Sequence, residues 1–191
     1  MDVFLQVWGG AFYLLNKMLF AFSEAKVAQQ KRKLTMLAWA SFLIGVPAWL
    51  IILVGQGSWI AASVEAGGIP AMLLGLYNTY YNNQRPNKLF NRVVTLSTYL
   101  SLAVGLSFSL WVHVGVTSIT QVLEMGVMLG FLFGSYLMAK SNPKGWLFFM
   151  LMNLSMASLM LMQDKVILML QQLVSLGFVI YGYRKSTSFK G

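Results

Sequence analysis

The apolar and polar positions along the chain sort into seven long apolar runs divided by short polar ones. The runs cover about 3–22, 36–54, 58–81, 93–112, 117–138, 145–162 and 165–183, each near the roughly 20 residues that cross a bilayer as a helix. Together they consume almost all of the 191 residues. No remaining stretch is long enough for a soluble catalytic domain, so a single transmembrane domain is expected. The polar segments SEAKVAQQKRK (23–33), NNQRPNK (82–88) and SNPKG (141–145) are too short for linkers. The last two carry turn chemistry, with Pro86 steering Arg85 away from helix.

Composition agrees with a lipid setting. The chain is 58% hydrophobic and only 10% charged, against about 25% charged in a soluble domain. Such a surface cannot cover a globule in water. Net charge is +9, and its placement gives the orientation. Lys26, Lys31, Arg32 and Lys33 follow the first run, and Arg85, Lys88 and Arg92 the third. Lys140 and Lys144 follow the fifth, and Arg184, Lys185 and Lys190 the seventh. The alternate loops, including the one with His113, hold almost no basic residue. Cytoplasmic loops carry the Lys/Arg excess, so the N-terminus is expected outside and the C-terminus in the cytoplasm. The basic residues are spread over four loops with no folded patch, which argues against nucleic acid as a partner. The opening MDVFLQVWGG has no basic flank of the kind a cleaved signal carries, so the first run is expected to be retained. With zero cysteines, disulfides and thiolate metal sites are excluded.

Two acids interrupt this pattern. VEAGGIPAMLLGLY (64–77) and LEMGVMLGFLFGSY (123–136) both read E-x-G-x-x-x-[AG]-x-x-x-G-x-Y. Glu65 and Glu124 each enter about seven residues into a run, roughly 10 Å deep at the helical rise. An intramembrane acid is costly unless paired, protonated or hydrated, and marks a candidate pathway. The alternative is that each bonds a neighbouring helix and only fixes packing. Gly67, Ala71 and Gly75, and likewise Gly126, Gly130 and Gly134, form small-x-x-x-small stripes for close helix contact. Two weaker echoes follow. WASF (39–42) returns as WLFF (146–149). Gln171, Gly177 and Tyr183 repeat the acid, middle small residue and tyrosine, with Gln171 following Glu65 at nearly the interval that separates the two aromatic motifs. Runs two and three thus resemble runs six and seven. Repeats of this kind in transporters place substrate near mid-membrane where they meet.

Trp146, Phe149 and Asn153 share one helical face at i, i+3 and i+7. Two rings above an amide can stack a planar group and hydrogen-bond its substituents. The same residues serve equally as an interfacial Trp with core packing. Trp39 and Phe42 repeat the ring pair, with Val46 where the amide stands. Lys17, near the inner end of the first run, is expected to snorkel to the interface. There is no phosphate-cradling glycine loop, no metal-ligand spacing and no Ser–His–acid set, so no cofactor and no enzymatic activity are expected.

GWLFFMLMNLSMASLMLMQDKVILMLQQLVSLGFVIYGYRK resembles the last two helices of the PnuC-type nicotinamide riboside transporters, seven-helix relatives of the SWEET sugar transporters. That family carries W-x-x-W with an Asn four residues on, a Gln near the outer turn, a polar residue early in the last helix and a Gly near its inner end. Trp146, Phe149, Asn153, Gln163, Gln171 and Gly182 take those places. The segment around Trp59, Glu65, Gly75 and Tyr77 is also similar, with Gln frequent in the family where Glu65 stands. The chain is similar as well to small YgjV-type inner-membrane proteins. The resemblance implies an all-α fold of seven transmembrane helices in a 3+1+3 repeat bundle. The three-helix units would span about 1–84 and 117–185, with a connecting helix at about 93–112. It further implies a multi-pass protein of the cell inner (cytoplasmic) membrane that passes a nicotinamide riboside- or thiamine-class solute by alternating access. Trp39, Trp146, Phe149, Asn153, Gln171, Glu65 and Glu124 would line the substrate site. Phe149 in place of the second Trp keeps a ring and loses an N–H. The partners expected are a small solute and lipids, with a homo-oligomer or larger complex open. A non-transporting structural or assembly subunit is the competing expectation, motivated by the small-residue stripes.

Overall fold

The apolar runs fold into seven helices and nothing else among the residues that the computed structural model describes, 2–55, 59–82, 87–112, 115–164 and 166–188. They are α1 (Asp2–Ser23), α2 (Ala28–Gly55), α3 (Trp59–Tyr80), α4 (Lys88–Val112), α5 (Ile119–Ala139), α6 (Lys144–Met162) and α7 (Val166–Ser188). Helix is the expected answer in lipid, because it satisfies every backbone group within its own segment. The Pro86 turn, His113, Lys165 and the Trp59 side chain lie outside the described residues.

All seven apolar runs are helical, and two reach well beyond their predicted starts. α2 begins at Ala28, just before the polar Gln-Gln-Lys-Arg-Lys stretch, and α4 at Lys88. Residues of this type are good helix formers, so the helix continues where the apolar run does not. The polar extension has a use. Arg32 Nε donates to the Thr79 carbonyl at 3.2 Å, and an Arg32 Nη donates to the Tyr80 carbonyl. These are end carbonyls of α3 with no partner in their own helix, so the extension of α2 caps α3. Lys31 pairs with Glu24 beside it. Three helices end on a non-glycine residue in the left-handed region: Asn82 (φ 50°), Ser141 (φ 53°) and Asp164 (φ 56°). At Ser141 the Ser141 N–H bonds the Met138 carbonyl and the Asn142 N–H bonds the Leu137 carbonyl, both at 2.9 Å. That double closure reverses the chain into α6 within a few residues.

Six of the helices are long and apolar enough to cross a membrane, so the fold is that of a multi-pass helical membrane protein. α3 packs against α2, α4 and α5. The helix contacts close a ring in the order α1, α2, α3, α5, α6, α7 and back to α1, with α4 laid outside against α3 and α5. The connections between α1 and α2, α3 and α4, and α5 and α6 share one end, which holds the described basic loop residues and is called here the basic end.

Glycines set how closely the helices approach. A Cβ on Gly75 would stand 2.2 Å from the Trp39 ring, and one on Gly182 would stand 2.5 Å from the Trp146 ring. Both indoles are fully buried. The two contacts are one contact made twice, since Gly182 follows Gly75 at the same interval as Trp146 follows Trp39. This corrects the alignment of α7 with α3 by one position. Glu65 matches Gln172, not Gln171, and Gly177 is no packing position, since a Cβ there meets nothing. A one-residue slip on a helix turns every side chain by about 100°, which apolar sequence tolerates and packing does not. On α5, Gly126, Gly130 and Gly134 all face α6, meeting Ser155, Met152 with the Phe148 carbonyl, and the Phe149 ring. On α3 the stripe divides: Gly67 meets Ser101 of α4 and Gly75 meets α2. The step from Gly67 to Gly75 advances a helix by two turns and roughly 80°, enough to pass from one neighbour to the next.

Replacing Gly130 by Ala puts a methyl 2.6 Å from backbone atoms of α6, which neither helix can yield cheaply. We expect Gly130→Ala and Gly75→Ala each to lower stability in detergent by about 1–3 kcal/mol. Gly177→Ala should be neutral or slightly stabilising. Thermal unfolding of the three purified variants checks the contrast.

Candidate functional site

The Trp–Gly contacts draw the helices together at the basic end, and the opposite half of the bundle is left hollow. A cavity of about 500 Å³ occupies it, within the range of small-molecule sites. All seven helices contribute to its wall. Most of the wall is apolar, including Trp49, Phe108, Phe131 and methionines of α5 and α6. The polar members are few: Tyr13, Lys17, Glu65, Ser109, Glu124, Gln171, Gln172 and Ser175.

Each polar residue owes its place to a helix register. Glu65 lies in the second turn of α3 and Glu124 in the second turn of α5, and α3 packs directly on α5. The E-x-G repeat therefore marks two neighbouring helices, and it brings both acids to one height on one wall. Glu124 is exposed as well as lining the cavity, so the hollow communicates with the surface. Gln171 crosses to α1, donating through Nε2 to the Gly10 carbonyl at 3.1 Å. Glycine at that position lets the amide approach, because a Cβ would lie 3.0 Å from Nε2. Gln172, adjacent in sequence, lines the cavity also.

Lys17 departs from expectation. It does not snorkel to the interface: it is 3% exposed and lines the cavity. Its Nζ lies 3.3 Å from the centroid of the Phe149 ring and 4.7 Å from that of Phe42. Phe42 and Phe149 are equivalent in the aromatic repeat, so the amine bridges matching rings of α2 and α6. A desolvated contact of this kind contributes about 2 kcal/mol, less than the several kcal/mol that burying a charge costs. A single lysine in an apolar run carries no spacing signal to distinguish this burial from snorkelling.

Buried polar atoms without partners gather at the same place. Among the described residues, Tyr13 Oη, Lys17 Nζ, Trp49 Nε1 and Glu65 Oε1 are buried, have no hydrogen bond and belong to cavity-lining residues. The other such atoms belong to Asn16, Ser135, Trp146 and Asn153, outside the lining. Lys17 and Glu65 do not pair with each other. Buried polar groups are nearly always hydrogen-bonded, so a cluster of orphans around a hollow points to water or a ligand as the partner.

The predicted aromatic residues stand elsewhere. Trp39, Trp146, Phe149 and Asn153 do not line the cavity. They are fully buried on the basic-end side of it. Trp39 lies edge-on to Phe20 at 4.8 Å between ring centroids, and Phe20 reaches Trp146 at 6.4 Å. Asn153 Nδ2 donates to the Phe149 carbonyl of its own helix at 2.7 Å, while its Oδ1 has no partner. In this conformation the rings form the floor. Gln121, unremarked in the sequence, holds the connection between α4 and α5. It donates to the Ser109 and Gly115 carbonyls at 3.2 and 2.9 Å and accepts from the Thr117 N–H at 3.0 Å.

No protein-family model, curated protein or solved structure matches the chain.

The natural absence of cysteine permits single-cysteine mapping. Glu124→Cys, Glu65→Cys and Gln172→Cys are expected to react with a water-soluble maleimide in membranes. Phe149→Cys and Asn153→Cys should stay unlabelled under the same conditions. Labelling of the last two at the rate of Glu124→Cys would remove the floor from this description.

Proposed function

We propose that the chain is a membrane transporter for a small, ring-containing, vitamin-like or nucleoside solute, of the nicotinamide riboside or thiamine class. The observation that carries the reading is the gathering of orphaned polar atoms around one hollow in an otherwise apolar bundle. A structural subunit gains nothing from burying Glu65 and Lys17 without partners, since each costs stability. A solute-binding cavity needs such groups to fix orientation and selectivity.

The proposed architecture is a 3+1+3 repeat of the PnuC and SWEET kind. The units α1–α3 and α5–α7 are joined by α4, with the basic end in the cytoplasm of a bacterial-type inner membrane. Two features support it: the closed six-helix ring, with α4 outside, and the Trp–Gly contact made once in each unit. Transport proceeds by rocking of the two units. In the state described, the cavity lies in the outer half and the aromatic floor closes the cytoplasmic half. Rocking would part Phe42 from Phe149 and carry the solute past them. Trp39, Trp146, Phe149 and Asn153 then meet the solute in the inward-facing state, where rings can stack it and the free Asn153 Oδ1 can accept a hydrogen bond. In the outward-facing state Trp49 and Phe131 are the rings at hand, with Gln171, Gln172, Glu65 and Glu124 supplying polar contacts.

Reconstituted into liposomes, the protein should give saturable uptake of labelled nicotinamide riboside or thiamine. We expect Glu65→Gln to lower uptake of a cationic solute about tenfold and Asn153→Leu to lower it further, both with normal membrane insertion. Gly177→Ala should leave it unchanged. Absence of flux for the vitamin panel, with another membrane protein co-purifying in mild detergent, would replace this reading with that of an assembly subunit.

A further inference from the structure

The cavity carries charge of both signs, and only one sign is needed for a cationic solute. Glu65 and Glu124 line one side, on α3 and α5. Lys17 of α1 lines it too, at 3% exposure, with its Nζ unpartnered apart from the two phenylalanine rings. Among the lining residues the other ionisable group is Tyr13, one turn before Lys17. An amine retained in that position against its burial cost wants an acceptor that the protein does not supply. Glu65 and Glu124 line the same cavity, and among the described residues neither forms an ion pair with Lys17.

Resting on the transport reading above, we infer that the solute is a small zwitterion built on a planar ring. Its acidic group docks on Lys17 and its positive group faces Glu65 and Glu124. A carboxylate at Lys17 receives a charge-assisted hydrogen bond in a mostly apolar cavity, where water competes little. The ring between the charges lies against Trp49 and Phe131, both in the wall. Position on the seam also gives Lys17 a part in the cycle. It touches equivalent rings of the two halves, so an acid that draws the amine into the cavity loosens a polar atom held against both.

The test uses three ring-matched probes on the purified full chain, by titration calorimetry: N-methylnicotinate with both charges, N-methylnicotinamide, methylated like it on the ring nitrogen, with the positive charge alone, and nicotinate with the negative charge alone. The expected result is that N-methylnicotinate binds at least tenfold tighter than either of the others. Lys17→Met and Lys17→Gln should abolish its preference over N-methylnicotinamide and leave the latter's affinity intact or improved. Lys17→Arg should keep part of the preference. Both neutral variants should also melt higher than the parent, since an unpaired buried amine has been removed, so misfolding is separable from loss of recognition. Equal binding of N-methylnicotinate and N-methylnicotinamide to the parent, an unchanged preference in Lys17→Met, or binding of none of the three would overturn the inference. Saturable flux of nicotinamide riboside together with equal probe affinities would overturn it alone and leave the transport reading standing.

Discussion

Two indole rings seated on glycine set the shape of this molecule. Trp39 against Gly75 and Trp146 against Gly182 leave no room for even a methyl group. Helices in lipid gain little from apolar burial as such, because acyl chains are as apolar as leucine, and association depends on close packing. A large flat side chain over a bare stretch of backbone is one of the few ways to obtain that closeness. The contact occurs once between α2 and α3 and once between α6 and α7, and it draws both helix pairs tight toward the basic end. In the opposite half a third indole, Trp49, sits on Gly9 of α1 and its ring forms part of the cavity wall.

The cavity in turn explains the polar residues. Glu65, Lys17, Tyr13 and Trp49 each leave a buried polar atom without a partner around it. By contrast Gln121, itself fully buried, satisfies both ends of its amide at the connection between α4 and α5. Its saturated amide holds the scaffold, while the unsaturated groups of four different helix positions share one hollow. That concentration is what distinguishes a site from scattered packing defects.

The repeat has two layers that the linear pattern runs together. The E-x-G pattern links α3 and α5, which are packed neighbours. The longer interval, from Trp39 to Trp146, links α2 with α6 and α3 with α7, and it is the one that packing obeys. The aromatic pairs Trp39–Phe42 and Trp146–Phe149 belong to this second layer. Their role in the state described is to close the bundle, not to line the cavity. Lys17 lies over Phe42 and Phe149 together, the matching rings of α2 and α6.

From the residues alone, the seven helices and their short antiparallel connections could be read, because apolar length and loop charge are properties of local sequence. Glu65 and Glu124 could be singled out for the same reason: a carboxylate in an apolar run is conspicuous wherever it points. Helix facing could not be read. Apolar residues surround each helix on all sides in lipid, so α2, α3, α6 and α7 show almost no amphipathic signal to say which side turns inward. Three matters were therefore left to the tertiary structure: the register of α7, the burial of the rings beneath the cavity, and the fate of Lys17. Each depends on a rotation of about 100° per residue about a helix axis, and only contact between helices selects one rotation over the next.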